Sequence, residues 1–403
     1  MTQVAVNLGT SYVPASFPSD RVRMYFNGGA NCTFTTPADL ANPDANVIAA
    51  PGGIIALTTI PVNVPKTFFG LTMGPIFSDL YNPLSQYNYG VARSHDTLVT
   101  WKDINPANGF FDYVAFDQWI DTHWAQGREI LYTVYQTPQW ASARPNEQGT
   151  YSNLGWSAEP ANMSTLSTFV TNLCQRCVNR GKPIKYWQIS NEPNFISGGL
   201  RFFTGTVQKL SEMTRTVAQA VKAITPTAII LNGGITNWDN SPAFPALDVA
   251  ATYFANMMAA SDGAGGVMKD WLDGIAYHGY GEEYLHPNRI NQVKSARATA
   301  GMTAKPIYDT ENGINALSTM SDYDVYLQMM RMYIVPAAMG IKHVCYYALG
   351  NSTTFGYSLL VRPKMLEIAH ALIGKIIRYG INSCGFLPDG RVAVNINNEI
   401  III

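Results

Sequence analysis

Charge is scarce in this sequence. Lys, Arg, Asp and Glu make up 14% of the 403 residues, 27 basic against 28 acidic, and no basic run occurs. A chain balanced in this way offers no electrostatic footprint for nucleic acid or an acidic membrane surface, so neither is expected as a partner. Long apolar runs are also missing, and the terminal EIIII is far too short to span a bilayer. The N-terminus, MTQVAVNLGTSYVPASF, lacks a basic stretch followed by an apolar one, so no signal peptide is expected. A cytoplasmic, non-classically exported or virion-associated protein fits that reading. The three N-x-[ST] sequons, at Asn31, Asn162 and Asn351, would then carry no glycan.

Cysteine is sparse and odd in number: Cys32, Cys174, Cys177, Cys345 and Cys384. The close pair has CxxC spacing but falls in an expected helix, TNLCQRCVNRG, and no second pair or His cluster completes a zinc site. Two buried thiols are expected there, and nothing demands a disulfide framework. The six His are scattered with no H-x-H at a first-strand end, which disfavours a metal-dependent barrel hydrolase. No metal and no cofactor are expected.

What the chain has is apolar bulk. Hydrophobic residues reach 47%, including 22 Tyr, 17 Phe and 8 Trp. This suits a well-buried core, and it also suits sugar rings, whose C–H faces pack on aromatic planes. An uncharged polymer fits the charge balance best.

Residues 1–65 differ in texture from the rest. Lysine is absent until Lys66, and short alternating runs (QVAVNL, RVRMYF, IIALTTI) lie among turn residues. They read as strands of a small β-rich accessory segment. From about Thr67 a unit repeats in which a short apolar or β-branched run precedes a helical pattern. The expected strands are TFFGLTM, YGVARS, EILYTV, IKYWQIS, AIILNGG, DGIAYHG, PIYDTE and HVCYYAL. Amphipathic stretches expected as helices are 117–126, 166–178, 206–224, 288–300 and 323–338. Eight such units predict an α/β fold, a (β/α)8 barrel over 66–380, rather than an open doubly wound sheet. No Gly-rich phosphate fingerprint follows the first strand, which disfavours dinucleotide binding. GFLPDGRVAVNIN predicts a C-terminal hairpin within 381–403, expected to pack with the accessory segment.

Barrel enzymes place working side chains at the C-terminal ends of strands. The expected ends carry Arg93 with His95 and Asp96, then Thr137, Pro138 and Trp140, then Ser190-Asn191-Glu192-Pro193. They continue with Tyr277-His278-Gly279-Tyr280 and Asp309-Thr310-Glu311-Asn312. Glu192 and Glu311 therefore face one mouth from strands four and seven. Glycoside hydrolysis needs two such carboxyls: one protonates the leaving oxygen, and the other attacks or activates water.

The chain resembles the retaining (β/α)8 glycosidases that carry their acid/base and nucleophile glutamates on strands four and seven. The β-xylosidase, iduronidase and exopolysaccharide-hydrolase group, glycoside hydrolase family 39, or a sister family, is nearest. The resemblance rests on WQISNEPN at 187–194 and YDTENG at 308–313. GVARSHDTLVTWKDINP, YQTPQWAS and AYHGY support it, and it covers about Thr67 to Arg378. It implies that Glu192 is the acid/base, Glu311 the nucleophile, and Asn191 a partner of the sugar 2-hydroxyl. Arg93 would pair with the nucleophile, His95, His278 and Tyr280 would contact the sugar or orient Glu311, and Trp140 would line the subsite. The implied activity is cleavage of β-linked glycans, and the many aromatics expected at the cleft, with the extra β segment, favour a polysaccharide. The sequence departs from the group at strand eight, where CYYALGN places Leu349 near the position of a common Trp platform. Tyr346, Tyr347 or Trp238 are the substitutes it offers. The alternative function is a non-catalytic carbohydrate-binding or phage virion protein on the same barrel.

Overall fold

The structure, a computed structural model, describes residues 63–73, 88–149, 153–197, 200–238, 249–281, 286–314, 321–349, 359, 363–381 and six short strands near the chain ends. Eight parallel strands form the centre: β1 (Phe69–Met73), β2 (Val91–Arg93), β3 (Glu129–Val134), β4 (Tyr186–Ile189), β5 (Ile229–Leu231), β6 (Ile275–His278), β7 (Ile307–Asn312) and β8 (Val344–Leu349). Seven lie within the expected runs, and β7 extends one residue past its run, to Asn312. They are ordered β5-β4-β3-β2-β1-β8-β7-β6. The two ends of that series meet through parallel bridges Leu231–Gly274 and Ile235–Tyr277, which bring the sheet round into a (β/α)8 barrel.

The helices are α1 (Trp101–Ile104), α2 (Val114–Ala125), α3 (Met163–Asn179), α4 (Val207–Ile224), α5 (Ala250–Met258), α6 (His286–Thr299), α7 (Asp322–Ala338) and α8 (Pro363–Tyr379). All five expected helices are present, while the one-turn α1, α5 and α8 were not foreseen. Starts are marked by capping side chains: Asn162 accepts from Ser164 N at 2.9 Å, Thr206 accepts from Lys209 N at 3.2 Å, and Ser321 and Asp324 form a capping box. The apolar stripe of α4, including Leu210, Val217 and Val221, is buried against the barrel. Each such side chain contributes about 1.5–3 kcal/mol by leaving water. Cys174 and Cys177 are free buried thiols on α3. No described helix is long and apolar enough to cross a membrane.

Strand periodicity explains how the barrel becomes a platform. One inward position per strand makes an apolar layer: Gly70, Val91, Leu131, Tyr186, Leu231, Ala276, Tyr308 and Cys345. Gly70 must be glycine, because a Cβ there would lie 2.3 Å from the Cys345 sulfur. Two residues further along, the same face carries the buried polar groups Thr72, Arg93, Thr133, Gln188, His278 and Thr310. The barrel thus has an apolar floor with a polar tier directly above it, on the C-terminal side.

At the chain ends, Met24–Tyr25 pairs antiparallel with Glu399–Ile402, and Val392–Ile396 and Ser383–Phe386 complete a four-stranded sheet. Asn31–Thr33 pairs with Ile54–Ala56. We propose that these strands unite residues 1–65 and 381–403 in one accessory unit. The expected PDG turn lies outside the described residues, as does most of 1–62.

Candidate active site

The polar tier is completed by loops with constrained backbones. Among the described residues, six non-glycine ones have positive φ: Asp96, Leu98, Gln136, Ser190, Glu192 and Asn237. All lie just past the C-terminal ends of β2 to β5. Such conformations cost about 1–3 kcal/mol each and persist only where the surroundings enforce them. Ser190 (φ 70°) and Glu192 (φ 37°) turn the chain sharply after β4. Asn194 ties that turn to the next loop, donating to the Thr236 carbonyl at 2.9 Å and accepting from its N–H at 3.2 Å.

Arg93 is the hub. It is fully buried, donates to the Glu311 carboxylate, and reaches Asn191 Oδ1 at 2.6 Å and Gln188 Oε1 at 3.2 Å. The other oxygen of Glu311 accepts from the Tyr280 hydroxyl at 2.9 Å. Across the mouth, Glu192 Oε1 lies 2.7 Å from His278 Nδ1. Ligating atoms of Glu192, His278 and Glu311 all fall within 4.8 Å of one another. Glu311 reaches this cluster because register slips at the end of β7: Tyr277 lies opposite Asp309, but His278 lies opposite Glu311. Asp309 is turned away and accepts from Gly279 N–H and the Asn312 amide.

The two carboxyls therefore sit in different surroundings. Burial pushes Glu192 up to about 7, against the opposing pull of His95, Arg93 and the Thr236 hydroxyl. Burial also pushes His278 down to about 3, against the attraction of Glu311, so its imidazole is neutral near pH 7. Burial pulls Arg93 downwards, but the Glu311 carboxylate outweighs it and the guanidinium is held above its ordinary value. The Glu192, His278 and Glu311 atoms could in principle ligate a cation. The Arg93 guanidinium paired to Glu311 opposes one, since it already places a fixed positive charge in the cluster.

The raised Glu192 value has a consequence for stability. Below pH 4.5 the carboxyl is protonated in folded and unfolded chains alike, and no penalty arises. As pH rises past the ordinary value of 4.5 towards 7, only the unfolded chain ionises, and the folded state loses stability. Glu192→Gln removes that term. Denaturant unfolding is expected to show the variant gaining about 3 kcal/mol relative to wild type at pH 8 over its standing at pH 4. Equal differences at both pH values would refute the raised value.

The remaining expected residues divide. Asn191 keeps its Nδ2 buried and without a partner. His95 is buried, packs on Tyr135 at 4.7 Å, and sets Nε2 3.3 Å from Asp96. Trp140 is half-buried, with its indole donating to the Asn105 carbonyl at 2.9 Å, so it clamps the loop after β3 to the loop after β2. Trp238 does not substitute for the absent platform: it is 1% exposed, donates to the Ile235 carbonyl and packs on Phe254. Tyr346 is buried beside Ile314. Tyr347 donates to Asp96 at 2.9 Å with its ring 6.0 Å from His95.

Two residues, Gln188 and Thr236, escaped the sequence reading, and Asp96 was placed at the mouth without a role. Gln188 bridges Arg93 and Thr310, and Thr236 hydrogen-bonds Glu192. Asp96, together with Tyr135 and Tyr347, forms an anionic knot beside His95. The signal for Gln188 was present: it stands two residues after Tyr186, on the same inward face, in an otherwise apolar strand.

No family model matches the chain, and no curated protein matches it by sequence. Among solved structures it is similar to a glucosidase from Croceicoccus marinus, with TM-score 0.59 and 13% identity over 84% of this chain and 77% of that one. A family 39 β-xylosidase from Caulobacter crescentus gives 0.58 and 16% over 83% and 78%. An endo-β1,6-glucanase gives 0.54 and 13% over 91% and 86%. At these identities the likeness is one of fold: the chain shares the (β/α)8 barrel of these glycoside hydrolases.

Proposed function

We propose that the protein is a retaining β-glycosidase acting on an uncharged β-linked glycan, with Glu311 as nucleophile and Glu192 as acid/base. The observation that carries this reading is the close, unequal carboxyl pair. An oxygen of each lies within 4.8 Å of the other, one carboxyl pinned by Arg93 and Tyr280, the other buried and raised to about 7. Inverting enzymes separate their carboxyls by about 6.5–9.5 Å to admit a water, whereas retaining ones use about 5–5.5 Å. The observed spacing fits the second class.

In the first step a Glu311 oxygen attacks the anomeric carbon while Glu192 donates its proton to the glycosidic oxygen. The C–O bond breaks, the alcohol departs and a glycosyl ester remains on Glu311. Glu192, now a carboxylate, takes a proton from water, whose oxygen attacks the same carbon and frees Glu311. Two inversions give net retention. The buried, unpartnered amide of Asn191 is oriented by Arg93 and supplies a donor for a sugar hydroxyl, which supports its role beside the 2-hydroxyl. Two of the structural neighbours named above, the β-xylosidase and the endo-β1,6-glucanase, act on such linkages, and that supports the substrate class.

Charge narrows the polymer. Among the described residues, the segments leaving β2 to β8 carry three Lys or Arg (Lys102, Arg144, Arg201) against six Asp or Glu (Asp96, Asp103, Asp112, Glu147, Glu159, Glu192), although the whole chain is balanced. A polyuronate would meet like charge at this face. Reducing-end release from a panel of β-linked polysaccharides is expected with neutral polymers and with wild type but not Glu311→Gln. Raising ionic strength from about 0.01 to 0.15 M shortens screening from about 30 to 8 Å. It should leave KM for neutral glycans unchanged and improve any weak binding of polyuronates. A polyuronate cleaved fastest at low salt would reverse the charge argument, and no release from any polymer would favour a binding barrel.

A further inference from the structure

His278 stands in an unusual position for a neutral histidine. Its Nδ1 is 2.7 Å from Glu192 Oε1 and 3.9 Å from Glu311 Oε2, while Nε2 is buried with no partner. The ring is wedged against Gly234, where an added Cβ would fall 2.1 Å from Nε2 and 2.2 Å from Cδ2. The ring lies close against the Gly234 backbone, and Gly234 is the residue that makes room for it. The sequence reading assigned His278 to the sugar or to Glu311; the closer contact is with Glu192.

A neutral imidazole carries one N–H, and the two placements have opposite consequences. With the proton on Nε2, Nδ1 is an acceptor and captures the Glu192 proton on Oε1, away from any leaving group. A donor would also be stranded at Nε2, and orphaned buried N–H groups are rarer than orphaned acceptors. With the proton on Nδ1, the ring donates to Oε1, and the acidic proton of Glu192 must occupy Oε2. We propose that His278 is a positioning residue in the Nδ1–H form, seated against Gly234, that keeps the catalytic proton of Glu192 on Oε2. This inference rests on the glycosidase reading above. The charged and titratable groups facing the ring are Glu192, Glu311, Arg93 and His95, with the Tyr280 ring at 6.4 Å.

Asparagine can present an amide donor where Nδ1 stands, since both attach to Cγ, whereas leucine cannot. With aryl and alkyl β-glycosides of the hydrolysed sugar, His278→Leu is expected to lower kcat/KM for alkyl leaving groups by about 10²-fold or more. Good phenolate leaving groups should lose less than about tenfold, because they need little protonation. His278→Asn should recover most of the alkyl activity, and the alkaline limb of the kcat/KM profile should move in the leucine variant only. Equal losses on both substrates, or no rescue by asparagine, would overturn the proposal. Should His278→Leu fail to fold, ¹⁵N NMR of wild-type histidines reads the tautomer directly, with His278→Asn identifying the signal. Protonation at Nε2 near pH 6 overturns the proposal whether or not the protein is active. Inactivity of wild type on every glycoside instead defeats the glycosidase reading.

Discussion

Glu311→Gln is expected to lower kcat/KM by about 10⁴-fold or more, a loss of about 5 kcal/mol or more of transition-state stabilisation. An amide oxygen is a poor nucleophile and cannot form the glycosyl ester, so the double displacement has no first step. The variant should nevertheless fold. Arg93 keeps Asn191 Oδ1 and Gln188 Oε1 as acceptors, and the glutamine carbonyl can take the place of the carboxylate oxygen. The loss of a counter-charge for a fully buried guanidinium costs stability, by about 3–5 kcal/mol, with the remaining contacts favouring the lower end. Circular dichroism and denaturant unfolding measured beside the activity assay separate the two effects. A folded Glu311→Gln that retains a tenth of wild-type turnover would remove Glu311 from the nucleophile's role.

Glu192→Ala has the second large effect, and its signature is the dependence on leaving group. Departure of a sugar or alkyl alcohol needs a proton, so kcat/KM for such substrates is expected to fall about 10³–10⁴-fold. Aryl glycosides with acidic phenols leave unaided and should lose less than about tenfold in the same parameter. Their second step still lacks a base, so the glycosyl ester on Glu311 accumulates. Azide needs no deprotonation, fits the space left by the carboxyl, and is expected to restore turnover with a β-glycosyl azide as product. An α-azide would indicate direct displacement and exclude the ester. Uniform loss without rescue would mean that Glu192 is not the acid/base.

The positions of both glutamates were legible because barrels obey a simple rule. Short buried runs at regular spacing read as parallel strands, and their C-terminal ends collect the working groups. IKYWQIS followed by Asn191-Glu192-Pro193, and PIYDTE ending on Glu311, stood out on that ground. Trp238 was less legible. An aromatic in the loop after β5 is compatible with a sugar platform or with a core, and only packing against Phe254 distinguishes them. α5 was missed because nine residues make too short a stripe to stand out beside the Pro-rich run before it.

The sequence by itself determined the strand count, the fold class and which residue types stand at the barrel mouth. These follow from local periodicity, which survives without knowledge of distant contacts. Pairing across the mouth was decided only in three dimensions. Asp309 and Glu311 are both acidic and two residues apart, and a one-residue register slip between β6 and β7 selects Glu311 for Arg93. The contact of His278 with Glu192 depends on the space left by Gly234 on a different strand's loop. The elevation of Glu192 to about 7 likewise requires burial by elements far apart in the chain. Register, clearance and desolvation are sums over neighbours that no local pattern encodes, and they turn two strand-end glutamates into an unequal pair.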